Sequence, residues 1–216
     1  MRRACLRVAA LVLLCAAAAG AAQHARLFPP ENLGLLEGPD RDAYQRPDQI
    51  MDALQIGENS VVADLGAGGG WFTVRLALRV KPNGRVYAED IQQQMIQAID
   101  RRMTREGLRN VITQLGTADD PKLPANALDA VLIVDAYHEV EHPVALLRNV
   151  RTALKPGGVV GIVNFKKDGS GPGPPMDERV DPEQVISDAR AAGLELRKRE
   201  DFLRYQYMLT FGRSPK

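Results

Sequence analysis

The sequence predicts an α/β fold in which a doubly wound, mostly parallel sheet is covered by helices on both faces. Three observations carry this. Val61 to Leu65 is a short apolar strand that runs through a glycine-dense turn, Gly66 to Gly70, into a helix with Val74, Ala77 and Leu78 on one face. Leu128 to Asp135 is a continuous apolar run ending on an acid, as a central strand covered on both sides requires. Strand and helix signals alternate along most of the chain, a pattern that builds parallel sheets.

Gln23 to Asp40 holds Pro29, Pro30, Gly34, Gly38 and Pro39 and reads as a loop or arm. A helix is predicted from Pro47, a good first helical residue, to about Leu54, with Ile50 and Leu54 on its apolar side and Gly57 beyond its end. Tyr44 and Gln45 lie just ahead of it, and Tyr44 either packs the arm onto the domain or touches a substrate. In the strand, turn and helix that follow, glycine permits backbone angles and a close ligand approach that a side chain forbids. Gly66, Gly68 and Gly70 form G-x-G-x-G, whereas the dinucleotide fingerprint places its third glycine one residue later, where Trp71 stands. That argues against NAD and FAD. No Lys-Ser/Thr pair closes a phosphate loop, which argues against ATP and GTP. Asp64 stands two residues before the first glycine, at the carboxyl end of the strand, placed to attract a cationic ammonium.

With Asp64 ahead of the glycines, Val61 to Gly70 resembles the first motif, hh-D-h-G-x-G-x-G, of the class I S-adenosylmethionine (SAM) dependent methyltransferases. The resemblance covers about Tyr44 to Phe211. It implies a Rossmann-like, seven-stranded sheet of order 3-2-1-4-5-7-6, parallel except for one antiparallel strand inserted by a C-terminal hairpin. It also implies SAM as methyl donor and no metal. Gly66, Ala67, Gly68 and Gly70 would then admit the methionine end of SAM, and Asp64 would orient its ammonium.

The second strand, Arg85 to Glu89, ends at Glu89-Asp90, about 20 residues beyond the glycines, where a carboxylate can accept from both ribose hydroxyls. By register with the family, Asp90 is the ribose ligand, with Ile91 beside it. Met95, Ile96, Ile99 and Met103 give the helix Gln92 to Arg105 one apolar face and are read as core. After the third strand, Asn110 to Leu115, the family places an acid on the adenine amine. Asp119 is in register, next to Ala118, and Asp120 competes. Past Leu128 to Asp135, the run Asp135-Ala136-Tyr137-His138-Glu139 falls where the fold sets its fourth motif, beside the methyl group. Asp135 is assigned to the cofactor. Tyr44, Tyr137 and Phe165 are assigned to the border of the acceptor. His138 is either a general base or a hydrogen-bonded wall of the pocket.

Glu139 and Glu141 are expected to open the next helix, whose positive end favours acids. A metal site from His138, Glu139 and His142 would straddle a turn and lack further ligands, so none is expected. That helix, Pro143 to Leu154, stops at Lys155-Pro156-Gly157-Gly158, and Val159 to Phe165 is the fifth strand. The glycine- and proline-rich stretch Lys166 to Val180 is either a lid or a connector. Asp181-Pro182-Glu183-Gln184 starts a helix that ends at Gly193, and Leu194 to Arg199 and Tyr205 to Phe211 are the last strands.

The expected organisation is a signal peptide at 1–22, an arm at 23–43 and the catalytic domain at 44–216. Arg2, Arg3 and Arg7, the apolar run Val8 to Ala19 and the small residues Gly20-Ala21-Ala22 match an export signal, whose apolar run is too short to span a bilayer comfortably. Export, to a periplasm, is the expected destination, with the cytoplasm or an uncleaved anchor as alternatives. Cleavage would leave 25 basic residues against 27 acidic ones, a balance that does not suit a nucleic-acid partner. It would also remove both cysteines, Cys5 and Cys15, and with them any disulfide or thiolate chemistry, including that of the related arsenite methyltransferases. The expected function is methyl transfer from SAM to a small-molecule acceptor, without stable membrane insertion. An exported binding protein of the same fold without turnover is the alternative, since SAM is made in the cytosol. The sequence sets neither the acceptor nor the oligomeric state.

Overall fold

The computed structural model describes residues 27–214 of the chain, so the expected signal peptide lies outside the described residues. The core is a seven-stranded sheet, β1 (Val61–Leu65), β2 (Arg85–Asp90), β3 (Val111–Leu115), β4 (Leu128–Val134), β5 (Leu154–Phe165), β6 (Leu194–Glu200) and β7 (Gln206–Arg213). Its order is β3-β2-β1-β4-β5-β7-β6, as the resemblance implied. β3, β2, β1, β4 and β5 run parallel to their neighbours, and β7 pairs antiparallel with both β5 and β6.

Strand alternation divides the apolar residues between two faces. On one, Val62, Val86, Ala88 and Leu132 meet α2 (Pro47–Ala53), α3 (Trp71–Arg79) and α4 (Gln93–Arg105) through Ile50, Phe72, Leu76 and Ile99. On the other, Ala63, Leu65, Val131 and Ile133 meet α5 (Pro143–Ala153) and α6 (Pro182–Ala191) through Leu147, Val150, Val185 and Ala189. Met95, Ile96, Ile99 and Met103 are buried along α4, as their spacing predicts. α6 begins as expected, the Asp181 carboxylate accepting from the Glu183 amide at 2.8 Å.

Four local expectations are corrected. The buried stripe of α3 is Trp71, Phe72, Thr73, Leu76 and Ala77, while Leu78 is exposed, because the helix turns its aromatic pair inward. Lys155-Pro156-Gly157-Gly158 is an excursion within β5: Leu154 already pairs with Leu128, and Val159 resumes opposite Ala130. Glu139 does not open α5. It sits in a short 3-10 turn, Tyr137–Glu139, and His142 precedes the first residue of α5, Pro143. The arm is not a plain loop, for it forms a 3-10 helix, Pro30–Glu37, then a single turn α1 (Arg41–Gln45). It is tied down at several points: Glu37 pairs with Arg102, Asp42 with Arg75 through both carboxylate oxygens, and the Arg46 guanidinium donates to the Phe202 carbonyl at 2.6 Å.

Candidate cofactor and acceptor site

The carboxyl ends of β1, β2 and β4 open on a cavity of about 570 Å³, closed from above by the arm and on one side by the loop 172–178. Ligands in open α/β sheets bind in such a crevice beyond the strand ends. Its floor is the glycine turn. Gly66, Gly68 and Gly70 have φ of 65°, 55° and 77°, the left-handed region that favours glycine. A Cβ on Gly66 would lie 2.5 Å from the Ala136 Cβ, so the turn and the end of β4 are packed against each other. β2 fixes the turn from the other side. The Ala67 amide donates to the Glu89 carbonyl at 2.9 Å, and the Gly68 amide donates to Asp90 Oδ2 at 3.0 Å.

Asp90 Oδ1 also accepts from the Gln92 amide at 2.9 Å. The carboxylate therefore bridges the turn and the start of α4, with each oxygen keeping further acceptor capacity on the cavity side. Asp64, 2 % exposed, accepts from Thr73 Oγ1 at 2.6 Å, and burial pushes its carboxyl up to about 6. Ile91 and Ala118 line the end of the cavity beyond Asp90.

Asp135 closes β4 in the left-handed region, with φ of 54°, a conformation costing a non-glycine residue about 1–3 kcal/mol. Both its oxygens accept from Gln206 Nε2, at 2.7 and 2.9 Å. Gln206 in turn accepts from Gln45 Nε2 at 3.1 Å, and Gln45 from Arg41 Nε at 3.2 Å. This relay links the arm to the end of β4. Desolvation holds Asp135 up at about 6. Tyr44 and Phe165 stand together on the cavity wall, ring centroids 6.1 Å apart. His138 faces the same space, and burial lowers its pKa, so it is neutral near pH 7.

The cavity thus brings together Asp64, Gly66, Ala67, Gly68, Asp90 and Asp135, with His138, Tyr44 and Phe165 also on its wall. Three expected site residues stand elsewhere. Gly70 starts α3 and packs on Ile99 and Met103, outside the cavity wall. Asp119 turns outward, its carboxylate 3.8 Å from His142 Nε2 and half-exposed. Tyr137 is buried in the second core, where its hydroxyl donates to Asp188 Oδ2 at 2.9 Å on α6. Tyr137→Phe is expected to cost about 0.5–1.5 kcal/mol of stability, the worth of one hydrogen bond, and to leave SAM affinity unchanged. Denaturant unfolding and calorimetry of the same variant check both halves.

Other wall residues carry no local sequence signal. Glu139 accepts from the Phe28 amide at 2.9 Å, while Gln92 Nε2 donates to the Phe28 carbonyl at 3.0 Å, so the arm crosses the opening between β2 and β4. Burial pushes Glu139 up to about 7. Arg41 and Glu89 also line the cavity. Among the described residues, no three His, Cys, Asp or Glu side chains gather as a metal site.

Comparisons with known proteins agree with this geometry. The model of a methyltransferase domain family matches residues 62–158. An uncharacterized methyltransferase of Mycobacterium tuberculosis is 34% identical over 142 residues, 63% of this chain and 55% of its own. The ubiquinone/menaquinone biosynthesis C-methyltransferase UbiE of Hydrogenovibrio crunogenus is 34% identical over 113 residues, 52% of this chain and 44% of its own. The chain therefore spans about half the length of these relatives. The crystal structure of a SAM-dependent methyltransferase from Aquifex aeolicus superposes with a TM-score of 0.82 at 25% identity, covering 86% of this chain and 98% of that one. These relatives are methyltransferases, which leaves the binding-protein alternative without support. Residues 62–158 thus match the methyltransferase domain model, and they lie within a sheet of the order β3-β2-β1-β4-β5-β7-β6.

Proposed function

We propose that this chain transfers the methyl group of SAM to a small-molecule acceptor held between the glycine turn and the wall formed by Tyr44, Phe165 and His138. The observation that supports it is a single cavity with acids at three strand ends, Asp64 on β1, Asp90 on β2 and Asp135 on β4. The residues suit the cofactor. A left-handed glycine turn leaves the floor free of side chains, a buried acid beside it faces an ammonium, and Asp90 offers acceptor lone pairs to a diol. Ile91 and Ala118 give a flat base two apolar neighbours.

When bound, SAM supplies a sulfonium-activated methyl group that a nucleophile takes by in-line displacement. The chain's part is positioning, which can supply up to roughly 7–11 kcal/mol of a barrier. The arm and the loop 172–178 exclude water from above, and Arg179 fixes that loop by donating to the carbonyls of Pro174, Lys166 and Ser170. His138, neutral, has a ring nitrogen able to accept the acceptor's proton. The aromatic pair Tyr44 and Phe165 suits an acceptor with a flat ring, and the UbiE relative is named for ubiquinone/menaquinone biosynthesis.

Asp90→Ala is expected to weaken SAM binding by more than tenfold while the protein stays folded. Isothermal titration with SAM, alongside circular dichroism, measures both; an unchanged affinity overturns the ribose assignment. Methyl uptake from labelled SAM into small-molecule extracts tests turnover directly.

A further inference from the structure

The mouth of the cavity has an apolar rim. Leu27, Leu35 and Ile91 line the cavity and are also exposed to solvent, Leu35 by 76 %. Met176, 40 % exposed, stands on the loop 172–178 that closes one side. Exposed leucines scattered singly are ordinary, and Leu78 near the end of α3 and Leu196 on the edge strand β6 are two of that kind. The four on the rim differ because they border one opening.

Two further observations say what covers them. The first is charge. Glu37, Glu141 and Glu178 stand at this mouth, Glu37 paired with Arg102, and the lining residues include one arginine, Arg41, and no lysine. Such a rim gains nothing from an anionic surface, so the surface it fits is apolar and neutral. The second is the chain itself. Residues 1–26 join the domain at Leu27, on this rim, and their sequence carries the apolar run Val8 to Ala19. A run of that length suits a lipid interface better than a span across a bilayer. The stretch from Ala19 to Leu27 reaches at most roughly 29 Å, at about 3.6 Å per residue. A bilayer that takes up the run therefore lies within that distance of the cavity mouth.

We propose that this end of the domain docks on a neutral, zwitterionic bilayer, seating the rim side chains among the lipid headgroups and opening the cavity toward an acceptor dissolved in the lipid. The part concerning the acceptor rests on the proposed function, whereas the docking follows from the rim. Apolar side chains that enter a bilayer surface reach about 5–10 Å into the boundary between headgroups and acyl chains, a depth open to residues on a rim and closed to residues in the cavity. Contact of this kind is held by buried apolar area and not by charge, so salt does not release it.

Flotation of the full-length chain with phosphatidylcholine vesicles tests the docking. Wild type is expected to float with the vesicles at low and at high salt. The double variant Leu35→Glu, Met176→Glu should bind at least tenfold more weakly and melt like wild type by circular dichroism, since both positions are exposed. The matched variant Leu78→Glu, Leu196→Glu, which changes the same number of exposed apolar residues away from the mouth, should bind like wild type. Hydrogen exchange locates the face independently: vesicles should slow exchange in residues 27–37 and 172–178 and leave β6 unchanged. A rim variant that floats like wild type shows that residues 1–26 alone hold the chain to lipid, and overturns the proposal. So do protection centred on β6, a wild type that ignores the vesicles, and a wild-type dimer in equilibrium sedimentation that the rim variant abolishes, which would make the rim a contact between copies. Titration with SAM separates the two readings: a chain that docks without binding SAM overturns the proposed function and keeps the docking surface, and one that binds SAM without docking overturns the docking alone.

Discussion

Gly66→Val is expected to destabilise the protein by about 2–5 kcal/mol and to weaken SAM binding at least tenfold, because two costs fall on one position. The first is backbone: φ is 65°, where a β-branched residue is a steric outlier. The second is contact, since even a bare Cβ would stand 2.5 Å from the Ala136 Cβ. Ala136 has no flexible side chain to swing aside. Its neighbour Asp135 is pinned by an amide donating to the Val163 carbonyl at 2.8 Å and by Gln206. The strain must then pass into the glycine turn itself, whose position sets the cavity floor, and each 1.4 kcal/mol lost from binding is a factor of ten. Calorimetric melting should show a fall of roughly 5–15 °C for a chain of this size. Contact and backbone strain separate in a double-mutant cycle: Ala136→Gly should recover most of the loss of Gly66→Ala if the clash dominates and none if backbone strain does. A Gly66→Val variant that melts and binds like wild type would refute the packing.

What could be read in the sequence was what is local. From Val61 to Trp71 every signal needed for a strand, a turn and a helix lies within one short window, and the α4 stripe follows from spacing alone. Where side-chain direction depends on a distant partner, the reading failed. Glu139 looked like a helix-opening acid, yet its carboxylate is taken by the Phe28 amide, 111 positions away. Gln45 and Gln206 meet across 161 positions and carry no motif. Asp119 occupies the expected place along the chain, but the turn in which the Thr117 amide donates to the Asp120 carbonyl at 2.9 Å points it toward His142. Tyr137 lies in the expected segment too. The 3-10 turn rotates it to α6 and leaves its neighbour His138 on the cavity side.

Glu89→Gln is expected to raise stability above pH 6 and to flatten its dependence on pH. Glu89 is 3 % exposed; its Oε1 has no hydrogen-bond partner among the described residues, and its Oε2 has only the Gly66 amide at 3.5 Å. A Cβ on Gly116 would fall 1.8 Å from Oε1, so no water fits on that side. Burial, reinforced by the charge of Asp90, pushes the carboxyl up to about 8 from an ordinary 4.5. Between those values the folded state holds a proton that the unfolded chain has released. Folding is therefore undisturbed below about pH 4.5 and loses stability as pH rises toward 8, beyond which the loss is complete. The accumulated penalty is on the order of a few kcal/mol. Asp64, Asp135 and Glu139 are raised too and slope the same way, so the informative quantity is the difference between wild type and variant. Urea unfolding of both proteins from pH 5 to pH 9 should show the curves diverging with pH, the glutamine variant above. Parallel curves would show that Glu89 ionises at its ordinary pH, in contact with solvent, and that the far side of the glycine turn is wet rather than closed.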